Sequence, residues 1–252
     1  MTGALKNNKR VVFFTMITVL AVLFQLSHSY KYNNRKDNYI IEDFARNIFM
    51  SVEPDSILFA ADDSIINPLW YLQSRGEGNE VIVLSTGLLN YDWYVKSVIK
   101  KNPNILDTEV LSKKWDSNRI AHIFNKNLSN KKIYTTFTAW DDYSNSTFDF
   151  VPVGSVYAVV FKGSKDKGGI LQKNYTLWDQ YVLRGIKQDD HKDFTVNQLI
   201  RHYALSLNNT GAVYANLGFP KEAVYFFKKS IDIIPDPKTI ENLKQVEKYL
   251  PL

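Results

Sequence analysis

The fold of this chain is decided by three consecutive stretches between residues 56 and 85. Residues 56–63 read SILFAADD, residues 67–75 read NPLWYLQSR, and residues 81–85 read VIVLS. Short apolar runs such as Ser56–Ala60 and Val81–Ser85 are typical of buried strands, and a proline before helical spacing favours a helix over Pro68–Arg75. The order strand, helix, strand predicts a parallel pair joined by a crossover.

The flanking residues extend this unit into an α/β layer over residues 30–192. Spacing of apolar residues predicts three further helices, over Tyr39–Ser51, Asp92–Lys101 and Asp116–Asn125. It also predicts a strand over Lys132–Ala139, a pair of strands over Phe148–Val153 and Val156–Lys162, and a glycine-rich loop over Gly163–Gly169. The two strands around Gly154 are edge strands or a hairpin that closes the layer. We therefore predict an α/β fold with a small Rossmann-like, mostly parallel sheet and flanking helices.

The first 29 residues are predicted to meet a membrane. Lys6, Lys9 and Arg10 precede an uncharged apolar run from Val11 to Leu26. This run is slightly shorter than the roughly 20 residues that span a bilayer, and small residues at 27–29 also suit signal-peptidase cleavage. A single-pass anchor is favoured over a cleaved signal peptide, and both place the C-terminal body outside the cytoplasm, on the periplasmic side.

From Phe194 onward the spacing is wholly helical, and residues 193–252 form the third predicted region. Six residues fall at the offsets of a tetratricopeptide repeat, a pair of antiparallel helices: Gly211, Tyr214, Gly218, Ala223, Phe227 and Pro235. A helix over Val196–Leu207 and a third over Pro237–Tyr249 would pack beside this pair, because one repeat cannot bury its face alone. Such a unit is either structural or a protein-binding scaffold.

Composition excludes several classes of function. The chain has no cysteine, which removes disulfides and thiolate metal sites, and its net charge of +5 is spread thinly. Nucleic-acid binding would need a basic stripe within a recognisable module. The four histidines have no metal-ligand spacing, and no phosphate-binding loop is present. We predict neither a metal nor a cofactor, and we expect a membrane and a protein as partners, with a glycan as a further candidate.

Acidic pairs follow two of the predicted strands. Asp62 and Asp63 come after the first strand, and Asp141 and Asp142 follow Trp140 after the third. Ligands of open α/β sheets gather at the carboxyl ends of strands, so Asp62, Asp63 and Asp142 are candidate ligand-binding residues. The competing interpretation is that Asp62 and Asp63 cap the following helix and that the second pair belongs to a turn.

Aromatic residues supply the other candidates. Tyr91-Asp92-Trp93-Tyr94 sets a carboxylate among three rings, an arrangement that can stack against sugars, and Trp70 and Trp140 could serve as further platforms. A packed helix start with Asp92 in its first turn explains the same residues.

Four runs resemble a known family: residues 38–47 (NYIIEDFARN), residues 57–59 (ILF), residues 68–73 (PLWYLQ) and residues 91–94 (YDWY). They are similar to the C-terminal part of multi-span, protein O-mannosyltransferase-like membrane proteins of the GT-C type, a family abundant in Bacteroidetes-like bacteria. The resemblance covers residues 11–252 and implies a last membrane helix, an extracytoplasmic α/β domain and tetratricopeptide-like helices. For the longer relatives it implies mannose transfer from a lipid-linked donor to hydroxyls of protein acceptors.

The chain departs from this family in its acidic run, where Gly-Asp-Asn-Asp-Thr-Phe is replaced by residues 61–67, ADDSIIN. The family's catalytic carboxylate lies between membrane helices, in a region that these residues do not match. We therefore expect an accessory or acceptor-recognition domain that is not catalytic alone. A carbohydrate-binding or carbohydrate-active protein with an acidic and aromatic cleft, and a tetratricopeptide interaction scaffold, are the alternatives.

Overall fold

The computed structural model describes residues 2–34, 38–113, 116–136, 147–187 and 193–250. The chain divides into two compact units, of which the first contains the N-terminal helix and the second contains everything described from Tyr39 onward.

The first unit is helix α1, Thr2–Asn33. Within it, Val11–Tyr30 is a 20-residue segment with a mean hydropathy of 2.0 and none of its residues buried, and it is the one described helix long and apolar enough to cross a membrane. A signal sequence near an N-terminus has the same length and composition, so the anchor is supported only by these two properties.

The second unit contains eight described α-helices and five strands. The helices are α2 Ile40–Ser51, α3 Asp63–Ser74, α4 Asp92–Lys101, α5 Asp116–Asn127, α6 Lys167–Gln180, α7 Phe194–Asn216, α8 Pro220–Ile233 and α9 Pro237–Glu247. The strands are β1 Ile57–Ala60, β2 Ile82–Ser85, β3 Ile133–Thr135, β4 Phe148–Val153 and β5 Val156–Phe161. The predicted strand over Lys132–Ala139 is confirmed for its first half, and residues 137–139 lie outside the described residues.

The five strands form one mixed sheet in the order β2-β1-β3-β5-β4. The strands β2, β1 and β3 are parallel, whereas β5 is antiparallel to both β3 and β4. The sheet is therefore mixed: the predicted parallel pairing of β1 and β2 is confirmed, and the predicted hairpin around Gly154 supplies the antiparallel strand β5. Gly154 itself adopts φ +58°, in the left-handed region that glycine favours.

Helices cover both faces of this sheet. The side chains of Ile57 and Phe59 enter a core with α4 and α5, and those of Leu58 and Ala60 enter a larger core with α2, α3, α6, α7 and α8. A parallel strand buried on both faces reads as a continuous apolar run, which is why residues 57–60 carry no polar alternation.

Helix α3 begins five residues before the predicted start at Pro68. The side chain of Asp62 accepts a hydrogen bond from the backbone N–H of Ser64 at 2.8 Å and caps the helix there, so Pro68 lies inside it. Burial of Ile65 and Ile66 in the larger core stabilises this additional turn.

Two other expectations were wrong about helix limits. The loop predicted over Gly163–Gly169 ends at Asp166, because α6 starts at Lys167 and buries Leu171, Asn174 and Trp178. The predicted helix Val196–Leu207 continues without a break to Asn216, and it therefore belongs to the same helix as Gly211 and Tyr214.

The last three helices pack as closely as the small residues predict. A Cβ atom on Gly211 would lie 2.8 Å from the ring of Phe227 and 3.1 Å from the carbonyl oxygen of Ala223. Gly218, at φ +81°, ends α7, where the backbone N–H of Phe219 donates to the carbonyl of Tyr214 at 2.9 Å. Pro235 follows the end of α8. The assignment of this unit to tetratricopeptide repeats stays a prediction.

Candidate functional site

A large groove lies where α3, α7 and α9 meet. Its volume is about 840 Å³, toward the upper end of the range for ligand pockets. One side of α7 forms a wall, and the starts of α3 and α9 together with the end of α8 form the rest. The lining includes Asp62, Ser64, Ile65, Gln198, Arg201, Leu205, Asn208, Asn209, Pro235, Asp236, Lys238 and Thr239.

The floor of the groove is held by hydrogen bonds between amide and hydroxyl side chains. The Nδ2 of Asn242 donates to the Oδ1 of Asn208 at 3.1 Å, and the Nδ2 of Asn209 donates to the hydroxyl of Tyr157 at 2.9 Å. These bonds tie α7 to α9 and to strand β5, so the groove is preformed.

His202 is one of the residues that line the groove, and it is a structural histidine. Its Nε2 donates to the carbonyl oxygen of Ser155 at 2.8 Å, and its ring contacts Phe44 edge-to-face. Burial lowers the pKa of His202 below its ordinary value, while the bond to Ser155 opposes that shift. The side chain is therefore neutral near pH 7 and contributes no charge to the groove.

Asp62 stands at the rim of the groove, directly after β1. Its backbone adopts φ +78°, which is uncommon for a residue other than glycine, and its Oδ1 accepts from both the N–H and the hydroxyl of Ser64 at 2.8 Å. Asp63 is exposed in the first turn of α3, where a carboxylate stabilises the helix dipole. The geometry of Asp62 thus matches the capping interpretation, whereas Asp63 is the first residue of the helix itself.

The aromatic candidates do not converge with Asp62. Trp70 is half-buried and packs on the larger core, whereas Trp93 is 62% exposed, and neither lines the groove. Trp140 and Asp142, with Asp141, lie outside the described residues.

Asp92 is the partner of a buried arginine. The Nη2 of Arg119 donates to the Oδ1 of Asp92 at 2.6 Å, and the same guanidinium donates to the carbonyls of Leu89 and Lys113. The Arg119 side chain is 7% exposed and that of Asp92 is 58% exposed. Asp92 therefore fixes the start of α4 against α5, a contact across 27 residues that sequence spacing could not reveal.

The run at residues 38–47, which carried the family resemblance, also has a structural role. Asp43 pairs with Arg184 through two bonds, at 2.9 and 2.5 Å. Asn47, fully buried, donates to the carbonyl of Val182 and to the hydroxyl of Tyr203 and accepts from the N–H of Val182. These residues join α2 to the segment after α6 and to α7.

Sequence reasoning missed one polar cluster. Asp107, Glu109 and His122 place possible metal-ligand atoms within 4.8 Å of one another. However, the ammonium of Lys126 lies 2.6 Å from Asp107, and its hydrogen bond holds the pKa of that carboxyl below its ordinary value. A cation thus already occupies one carboxylate, and the two ring nitrogens of His122 face different acids. The cluster gives no reason to change the prediction that the chain uses no metal.

Comparison with known proteins places most of this second unit in one family. Residues 41–201 match TMEM260-associated domain 2. Over 87 residues the chain is 28% identical to the protein O-mannosyl-transferase TMEM260 of Mus musculus, a segment that is 34% of this chain and 12% of the mouse protein. No solved structure matches the chain. The predicted relation to O-mannosyltransferase-like proteins is confirmed at this level, and the chain belongs to the TMEM260-associated domain 2 family.

Proposed function

We propose that the chain is a membrane-anchored, extracytoplasmic accessory domain of a protein O-mannosyltransferase-like system, and that it recognises the acceptor polypeptide. The groove between α3, α7 and α9 is the observation that carries this proposal. Family membership supplies the link to the transferase system.

The lining of the groove suits an extended polypeptide. The amide side chain of Gln198 can pair with backbone N–H and C=O groups, and Ile65 and Leu205 offer apolar contacts. The amides of Asn208 and Asn209 are already bonded to Asn242, to each other and to Tyr157, and they hold the shape of the groove. Its charged residues are balanced, with Asp62 and Asp236 against Arg201 and Lys238. An acceptor segment rich in serine and threonine is neutral, so it fits a surface without net charge better than a phosphate or nucleic acid would.

The candidate acids support recognition over catalysis. Asp62 is engaged by Ser64 at a helix start, and Asp92 is engaged by Arg119. Each of these carboxylates holds a structural hydrogen bond on one oxygen, which favours a local structural role over that of a general acid or base.

A single introduced cysteine can test on which side of the membrane the domain lies, because the chain has no cysteine of its own. Asn125 is exposed on α5 and is a suitable position for Asn125→Cys. An extracytoplasmic body predicts labelling of intact cells by a membrane-impermeant maleimide. Labelling only after the cells are opened would place the body in the cytoplasm and exclude this part of the proposal.

Acceptor recognition is tested by titrating the full chain with fluorescent, unstructured peptides rich in serine and threonine and measuring anisotropy. Leu205 is 54% exposed in the groove, and Leu217, the residue directly after the same helix, is 49% exposed outside the groove. We expect Leu205→Glu to weaken binding at least about tenfold, because it puts an unpaired carboxylate at an apolar contact, and Leu217→Glu to leave it unchanged. Equal binding by both variants would rule out the groove.

The accessory role is tested with a mannosyl-phospholipid donor and the same peptides. The full chain alone is expected to transfer no mannose. Transfer by the purified chain, abolished by a point substitution in it, would show an enzyme and refute the accessory role.

A further inference from the structure

Two aromatic rings are exposed side by side at the start of α4. Tyr91 is 55% exposed and Trp93 is 62% exposed, with ring centroids 6.4 Å apart and planes inclined by 33°. Among the described residues between 72 and 160, no other large apolar side chain is exposed to this degree. The pair follows β2, the edge strand of the sheet, and lies outside the lining of the groove.

The backbone that carries these rings is held rigidly. The buried guanidinium of Arg119 anchors Asp92, which stands between the two rings in sequence. The hydroxyl of Tyr94 accepts from the backbone N–H of Ser85 at 3.0 Å, and its ring meets Trp93 edge-to-face. Tyr94 is half-buried against the core under α4, and desolvation raises its pKa. The two exposed rings are therefore presented by a fixed support, at a low further cost in conformational entropy.

We propose that Tyr91 and Trp93 form a platform that binds a sugar ring, with mannosyl units as its ligands. The Tyr91 and Trp93 rings together are about as wide as one pyranose ring. The axial C–H bonds of a pyranose form an apolar face that can stack on aromatic rings. The Asp92 carboxylate, between the two ring residues in sequence, is held on one oxygen by Arg119 and is 58% exposed, so its other oxygen can accept hydrogen bonds from sugar hydroxyls.

A protein partner fits this patch less well. Stable protein interfaces bury about 800 Å² on each side, whereas two isolated rings beside a half-exposed carboxylate cover far less and would leave that carboxylate desolvated. A neutral, polyhydroxylated ligand satisfies the rings and the carboxylate together. The choice of mannose rests on the proposed function; the stacking itself does not.

The platform can be tested by ¹⁹F NMR of the full chain in lipid nanodiscs, free of glycosidic detergents, with 5-fluorotryptophan at its five tryptophans. The Trp93 resonance is assigned from its loss in Trp93→Phe. Titration with α-mannotriose is expected to shift the Trp93 resonance, with a dissociation constant on the order of 1 mM, as for a small ligand on an open surface.

Tyr91→Ala retains the Trp93 reporter and is expected to raise this constant at least about fivefold, because it removes half of the stacking surface. Tyr249, 78% exposed near the C-terminus, provides the matched control, and Tyr249→Ala should change nothing. The proposal is overturned if Trp93 does not respond to mannotriose, if Tyr91→Ala binds as tightly as the parent chain, or if Trp93 responds to the lipid composition instead. If the Trp93 resonance shifts equally with maltotriose, the rings bind sugars in general, and the proposal that mannosyl units are the ligands is overturned. Peptide binding in the groove is measured separately, so the two proposals fail independently.

Discussion

Asn47→Ala is expected to lower the free energy of unfolding by about 3–6 kcal/mol. The side chain is fully buried and makes three hydrogen bonds, at 2.8 and 3.1 Å to the backbone of Val182 and at 2.6 Å to the hydroxyl of Tyr203. Val182 is 44% exposed, so water can replace part of those two bonds, which contribute about 0.5–1 kcal/mol each. The hydroxyl of Tyr203 would be stranded in the core at a cost of about 1–3 kcal/mol, and the cavity adds about 1 kcal/mol.

The assay is urea unfolding of the full chain in nanodiscs, followed by the fluorescence of its tryptophans. Asn125→Ala, at an exposed position on α5, is the matched control and should change stability by less than about 0.5 kcal/mol. Tyr203→Phe removes the hydroxyl that Asn47→Ala leaves without a partner. The free energy of unfolding of the double variant Asn47→Ala/Tyr203→Phe should therefore fall by about 1 kcal/mol less than the sum of the falls in the two single variants. A loss below about 1 kcal/mol for Asn47→Ala, or full additivity in the cycle, would refute the reasoning about this network.

Three further predictions concern the core, the response to pH and the buried arginine. Gly211→Val should destabilise the chain by at least about 2 kcal/mol in the same urea assay, because its Cβ would lie 2.8 Å from the ring of Phe227. Gly168→Ala, with no atom within 4 Å of the added Cβ, should be neutral or slightly stabilising, and an equal loss would contradict the packing argument. Because burial holds the pKa of His202 below about 6.5, the unfolded chain takes up a proton there that the folded chain does not, and stability falls as the pH falls. The contribution of His202 to this loss between pH 7.5 and 5.5 should be at most about 1.4 kcal/mol, so His202→Gln should lose less stability than the parent chain over that range; an equal loss in both would assign the effect to other groups. Arg119→Met should cost about 2–4 kcal/mol, since it leaves two carbonyls and a carboxylate without their donor, and a neutral result would show that water replaces the guanidinium.

The sequence predicts the parts of this fold that depend on local patterns. Helix α4 has the predicted limits, Asp92–Lys101, because a carboxylate in its first turn and two lysines in its last suit the helix dipole. Strands β1 and β2 follow from their uninterrupted apolar runs. Helix α6 was missed because two glycines fall in its first turn and few of its residues are buried.

The candidate site is predictable only in part, because it depends on contacts between distant residues. The position of Asp62 at the end of β1 follows from the strand pattern, and so does its capping role. The groove exists because α7 and α9 meet the start of α3, which lies more than 130 residues earlier in the chain. The neighbouring core depends on contacts of the same kind, such as the hydrogen bond between Asn47 and Val182, which are 135 residues apart. No spacing rule brings such segments together; only packing of the complete core does.

The shared core of the sheet and the C-terminal helices has a consequence for how binding to this domain can be studied. Leu199, Tyr203 and Phe226 belong to the same buried cluster as Phe44 and Leu58. Deletion of the last helices would expose to water the apolar side chains of this cluster that those helices cover, and the remainder would aggregate or be degraded. Loss of a partner after such a deletion would therefore report loss of folding, and only surface substitutions that leave the thermal transition unchanged can separate recognition from stability.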